Sequence, residues 1–281
     1  MARLVSCMAL AHAPGMTGWF DKAEAGQRER LQAGYGELAR RLHAARPDVI
    51  LAFGNDHLLN LPFDNLPDLC IGTAAEWSGP APWFQDWLAI EPFRVPGRPD
   101  VAEALVQALD RRGLPLAFRS DLLMDDNFSV PLKVLTPRFD VPLVPVHMNC
   151  LVPPVPTPRS CFDKGALIAR AIREDLPPGL RVALMATGGL SHDPGGPRYF
   201  EIDEAFDRWF LALLEQGDTA RAFAECTLER MRAAGAGGTP ELIAWFVAWG
   251  AAAGAPAEIV CYEPTVGLRC SMGAVDWSVP A

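Results

Sequence analysis

Five histidines are scattered through 281 residues, and four of them close a stretch that reads as a buried strand. His12 follows "RLVSCMALA", His57 follows "DVILAF", His147 ends "VPLVPVH", and His192 comes shortly after "RVALMAT". Only His43 falls inside a helical pattern. In open α/β sheets the carboxyl ends of the strands line the ligand crevice. Each imidazole alone is adequately explained as a hydrogen-bonded structural group. Four of them reaching one sheet edge from four strands is a convergence that packing does not require. Glu241 is the second oddity. It stands in "GAGGTPELIAWFVAWGAAAG" as the sole charge between Arg232 and Glu258. Thr239 reads as an N-cap, Pro240 as the first helical position and Glu241 as a first-turn acid, which the helix dipole alone favours. The helix that follows is apolar on every side and so must be buried, and a carboxylate at its head must be paired or hold a cation. Two histidines and one carboxylate with open positions suit a non-heme Fe(II) site, and a zinc hydrolase uses the same ligand types.

Other chemistries find no support. Ser191 stands directly beside His192, and strand neighbours point to opposite faces, so they do not form a nucleophile–base pair. There is no Walker A motif and no strand-linked G-x-G-x-x-G. The seven cysteines are dispersed and never form C-x-x-C, which fits free buried thiols in a reducing compartment. A net charge of −9 and the lack of a basic run argue against nucleic acid as a partner. Every apolar run is broken before membrane-spanning length, and the amino-terminal stretch is short of a signal peptide's hydrophobic region. The expectation is a soluble cytoplasmic protein.

The elements that must position these residues follow from the hydrophobic pattern. Strands are expected over 3–11, 48–53, 141–147, 181–187 and 258–262. Helices are expected over 24–45, 100–112 and 163–174, with 200–254 almost wholly helical. The alternation argues for an α/β fold, a single domain over 1–281 with a central mostly parallel or mixed sheet flanked by helices. Two stretches depart from it: a loop-rich excursion over 58–98, with Trp77, Trp83 and Trp87, and a Pro-rich extended segment over 148–160. Long irregular segments inside a domain are more often functional than idle.

At this point the residues resemble a known family. "HAPGM", "NDH", "P-x-L-C-I-G", "FSVPL", "VPVHMN", "GGLSHDPGGPR" and "GGTPELIAW" occur in this order nearly from end to end. The chain is similar to the class III (LigB-like) extradiol ring-cleavage dioxygenases. That resemblance implies a LigB-like fold and insertion of both atoms of O2 into a small catechol-type aromatic with ring cleavage. It implies Fe(II) as the cofactor, held by His12, His57 and Glu241, with His192 as the acid/base beside the substrate. It also implies a homo-oligomer, or a complex with a small α-type subunit that helps close the site.

One departure matters. Relatives carry "DHG" where this chain has Asp125-Asp126-Asn127, so the family's second histidine is Asp126 here. Three readings follow: Asp126 acts as a surrogate acid/base, His147 takes over from a neighbouring strand end, or an aminophenol or hydroxypyridine substrate dispenses with the step. A zinc-dependent hydrolase on the same ligands and a catalytically silent dioxygenase-like subunit are the alternatives. Asn149 and Ser191 stand near comparable strand ends and are candidates to hydrogen-bond the substrate, with turn stabilisation as the competing role. Arg94, Arg159, Arg198 and Arg269 are candidates to pair with a substrate carboxylate. The cavity should be lined by the 58–98 excursion and by the carboxy-terminal "VGLRCSMGAVDW".

Overall fold

Four apolar runs become four adjacent parallel strands in the computed structural model, which describes residues 1–279. These are β1 (Arg3–Leu10), β2 (Val49–Asn55), β7 (Leu143–Met148) and β8 (Arg181–Thr187), side by side in the order β7-β2-β8-β1. Helices cover both faces of this sheet, which is why both parities of each strand are apolar. The parities sort cleanly. Cys7, Ala9, Leu51 and Phe53 join one core, while Met8, Leu10, Ile50 and Ala52 join the other.

Antiparallel strands complete each side. β3 (Leu69–Gly72) pairs antiparallel with β7 and carries the three-residue β6 (Ala117–Arg119) on its outer edge. On the far side β10 (Cys270–Trp277) pairs antiparallel with β1, and β9 (Ala257–Thr265) pairs antiparallel with β10. The result is one α/β domain around a mixed eight-stranded sheet, as expected. β4 (Glu76–Gly79) and β5 (Phe93–Pro96) form a separate antiparallel pair inside the excursion.

The two cores have different helices. α2 (Ala25–Ala44) and α5 (Asp126–Leu135) pack on one face. α4 (Pro99–Asp110), α6 (Pro158–Asp175), α7 (Glu204–Gln216) and α10 (Ile243–Ala251) pack on the other. Short helices link them: α1 (Gly15–Gly18), α3 (Gln85–Leu88), α8 (Thr219–Glu225) and α9 (Leu228–Gly235). Every residue of α10 is buried, as its unbroken apolarity requires. Trp245, Phe246 and Trp249 lie wholly inside, and a buried side chain of this kind stabilises by roughly 1.5–3 kcal/mol. Among the described residues no helix is long and apolar enough to cross a membrane.

Two local expectations are corrected, and one helix goes beyond them. The excursion contains strands, because β3 to β5 are only four residues each and give little periodicity. The "FSVPL" segment, to which the hydrophobic pattern assigns no element, is helical: Pro131 sits inside α5, where a proline ordinarily signals a break. Thr239 does not cap α10. A 3-10 turn, Thr239–Leu242, comes first, and the Thr239 hydroxyl instead meets the backbone of His192, accepting from its N–H at 3.2 Å.

Candidate metal centre and cavity

Three chain segments that leave the carboxyl edge converge with the turn before α10. His12 lies just past β1, His57 just past β2 and His192 beyond β8, and the 3-10 turn before α10 presents Glu241. The Glu241 carboxylate is buried and is met by all three imidazoles. His57 Nε2 lies 3.0 Å from Oε1, His12 Nε2 3.5 Å from Oε2, and His192 Nε2 3.7 Å from Oε2. Asn55 Nδ2 and the backbone N–H of Gly189 donate to the same carboxylate at 3.2 and 3.3 Å. The rings of His12 and His57 meet edge to face, 5.3 Å apart.

A second pair of acids stands behind His57. Asp125 caps the first turn of α5, its carboxylate accepting from the N–H of Asn127 at 3.0 Å, and Asp126 is the first residue of that helix. Asp125 Oδ2 lies 3.0 Å and Asp126 Oδ1 3.3 Å from His57 Nδ1. His57 is therefore held from both sides, with Glu241 on Nε2 and the α5 acids on Nδ1. Ligand histidines are ordinarily oriented by such a carboxylate on the second ring nitrogen.

Burial and charge oppose each other at this cluster. Burial pushes His12 down to about 4, with Glu241 pulling the other way. Burial would also lower His57, but Asp126, Asp125 and Glu241 outweigh it and hold its proton far above the ordinary histidine range. Burial would raise Glu241, yet His57, His12 and His192 hold it well below the usual carboxylate range. A protonated His57 thus does the neutralising that a cation would do if bound there. Neutral imidazoles are the ligand-competent form.

The donor set fits a divalent first-row ion. Nitrogen and carboxylate oxygen are the ligand types such ions take, and one oxygen of Asp126 lies within 4.8 Å of donor nitrogens of both His12 and His57. His12 Nδ1 is buried with no hydrogen-bond partner. Two carboxylates thus flank the histidine pair, Glu241 and Asp126.

A cavity of about 200 Å³ opens over this cluster, lined by His12, His57, Asp126, His192 and Glu241 together with Trp19, Phe84, Trp87, Tyr199, Leu268 and Arg269. The expectation that the excursion and the carboxy-terminal segment would line it agrees with Phe84 and Trp87 from one and Leu268 and Arg269 from the other. Trp19 and Tyr199 were not singled out from the sequence. Both lie just beyond stretches that were, "HAPGM" and "GGLSHDPGGPR". Two glycines shape the seat of His192. A Cβ at Gly238 would stand 2.1 Å from its Nε2, and one at Gly189 would stand 2.3 Å from its Cε1.

Three candidate residues do not reach the cavity. His147 is fully buried, its Nε2 3.4 Å from Asn60 Nδ2 and its Nδ1 3.5 Å from both Asn127 Nδ2 and Asp56 Oδ1. Asn149 donates to the carbonyls of Val152 and Pro154 at 2.7 and 3.1 Å and so stabilises its own turn. The hydroxyl and N–H of Ser191 donate to Asp207 at 2.8 and 2.7 Å.

Comparison with known proteins identifies the family. The chain is 28% identical over 210 residues to a 2,3-dihydroxyphenylpropionate/2,3-dihydroxicinnamic acid 1,2-dioxygenase of Photorhabdus laumondii, covering 74% of this chain and 62% of that protein. A Pseudomonas putida protein of the same name is 32% identical over 166 residues, 58% of this chain and 49% of that one. A Burkholderia vietnamiensis counterpart is 28% identical across 89% of this chain and 88% of its own length. The chain thus spans less than two thirds of the first two relatives. A crystal structure of an uncharacterized Escherichia coli K12 protein superposes with a TM-score of 0.62 at 16% identity, covering 97% of this chain and 99% of that one, which shows a shared fold. The family model described as the catalytic LigB subunit of aromatic ring-opening dioxygenase matches residues 6–270. The chain belongs to the LigB family.

Proposed function

We propose that this protein is a non-heme Fe(II)-dependent extradiol dioxygenase that opens the ring of a small dihydroxylated or aminohydroxylated aromatic. The observation that carries the reading is the meeting of His12, His57 and His192 on one buried carboxylate, Glu241, beneath an aromatic-walled cavity. His12, His57 and Glu241 would hold the iron. When bound, it would supply open positions for the diol and O2 and the electrons that couple them.

The remaining steps belong to side chains. His192 Nδ1 lies 2.8 Å from the carbonyl of Leu190, which only accepts, so Nδ1 carries the proton and Nε2 is left as the base. That nitrogen stands 3.7 Å from Glu241 Oε2 in a ring that lines the cavity, and is suited to take a hydroxyl proton and return it later. Trp19, Phe84 and Trp87 line the cavity and offer apolar surface to a flat ring. Asp125 and Asp126 orient His57 through Nδ1. Asp126 also lines the cavity, so it is the acid/base candidate in place of the family's second histidine. Its neighbour His147 faces Asn60 and Asn127 instead.

The seven cysteines are free thiols, which supports a cytoplasmic enzyme, acting as a homo-oligomer or with a small α-type subunit. The test is oxygen uptake by anaerobically iron-loaded protein across a catechol and aminophenol panel, with Asp126→His alongside the wild type. Oxygen consumption with a yellow ring-fission product is expected. Stoichiometric zinc with oxygen-independent hydrolysis would move the assignment to a hydrolase. Iron binding with no turnover of any compound would leave a silent subunit.

A further inference from the structure

Four arginines were candidates to meet a substrate anion, and the structure separates them. Arg94 pairs with Glu76, Arg159 with Asp163, and Arg198 with Glu201 and Asp203. Arg269 alone of the four lines the cavity, and among the described residues no carboxylate comes within 4.0 Å of its nitrogens. It donates instead to the Tyr199 hydroxyl and stands among aromatic rings, its guanidinium carbon 4.8 Å from the Tyr199 centroid and 5.3 Å from that of Trp19.

The backbone delivers it there at a cost. Arg269 closes a 3-10 turn, Val266–Leu268, in the left-handed region with φ of 62°. A long side chain rarely adopts that conformation, and such positions persist where the surroundings enforce them, often at ligand sites. A guanidinium that is half-buried, positioned by aromatic faces and unmatched by any acid still has fork-shaped donor capacity facing the cavity. The carboxylates of the cavity, Glu241 and Asp126, are already engaged with imidazoles.

We infer that Arg269 is a specificity-determining residue that clamps a carboxylate on the aromatic substrate, so that the cavity selects anionic over neutral ring compounds. This rests on the cavity being an aromatic diol site, but it does not need ring cleavage to be observed. Charge-assisted, bidentate pairing is the strongest hydrogen bonding available to such a group.

The experiment uses matched pairs, 2,3-dihydroxyphenylpropionate and 3,4-dihydroxybenzoate, each against its own primary amide. Anaerobic binding to the iron-loaded chain is followed by quenching of tryptophan fluorescence, since Trp19 and Trp87 line the cavity. The wild type should prefer at least one acid over its amide by about 10- to 100-fold, the range of a hydrogen bond to a charged partner. Arg269→Met should collapse that preference to within a few-fold, and Arg269→Lys, which keeps the charge and loses the fork, should restore part of it. Equal binding of acids and amides by the wild type overturns the inference. So does a preference that survives in Arg269→Met. Acid-selective binding without oxygen uptake would leave this inference standing and sink the dioxygenase reading instead.

Discussion

His57 and His147 leave the same edge of the sheet from neighbouring strands, and they end in opposite situations. His147 is sealed among Asn60, Asn127 and Asp56, with nothing of it facing the cavity. His57 also has an acid on one ring nitrogen, but its other nitrogen faces Glu241 and the open cavity. His57 is partly exposed where His147 is fully buried, but the larger difference is one of partnership. It lies in whether the polar partners form a closed set. A closed network rigidifies the fold, whereas an open one, with a buried His12 nitrogen left without a partner, is arranged for a guest.

The comparison can be broken most decisively at Glu241. Glu241→Gln should lower metal affinity by more than about 100-fold, beyond the range of a lost outer partner, and should also lower the melting temperature of the metal-free chain, because His57 and His12 lose a buried anionic partner. Metal titration and thermal melts read the two effects separately. Gly238→Ala comes next. Its new methyl would displace the His192 ring, and misplacing a reacting group by about 1 Å costs on the order of 100-fold in rate. Metal content should hold while oxygen uptake falls. Asp125→Asn should weaken metal binding by about 10–100-fold, as loss of a partner behind a ligand histidine does.

His147→Leu should spare the chemistry that all three impair. It should retain metal and destabilise by about 1–3 kcal/mol, because Asn60, Asn127 and Asp56 lose a buried partner. A urea melt with parallel metal analysis checks it, and metal loss there would erase the contrast between the two histidines. The smallest effect belongs to the surface. Arg40 and then Arg41 hold Glu37 down to about 2 from its ordinary 4.5. Its contribution is therefore present above pH 4.5 and fades as pH falls toward 2. Glu37→Gln should remove that slope from an acid titration of stability and leave the metal centre untouched.

The contrast also explains what could be read from the chain alone. β1, β2, β7 and β8 are buried on both faces, so each is an unbroken apolar run and announces itself. α10 does the same by having no polar face. β10 gives no such run, since Ser271 and Asp276 interrupt it, and α5 hides behind Pro131. The histidines could be placed at the edge because strand ends set their position along the sheet. Which way each side chain turns depends on partners far away in sequence: Asn60 lies 87 residues from His147, and Glu241 184 residues from His57. That is why His57 and His147 look alike in sequence, and why Asn149 and Ser191 proved to serve their own turns and helices.

One consequence of the strand order concerns synthesis. β1 precedes every other strand of the sheet in sequence, yet it lies between β8 and β10, and β10 is the last of those strands. His12 and Glu241 therefore meet only after β1 to β8 have all been made, and contacts of that sequence separation form slowly. A nascent chain that holds His12, His57 and Asp126 still lacks Glu241, the carboxylate that meets both histidines through their Nε2 atoms. With the ligand set proposed above, full metal capture would wait for Glu241, and a tightly held ion would act as a latch on the finished fold, adding about 2.7 kcal/mol when free ion exceeds its dissociation constant a hundredfold.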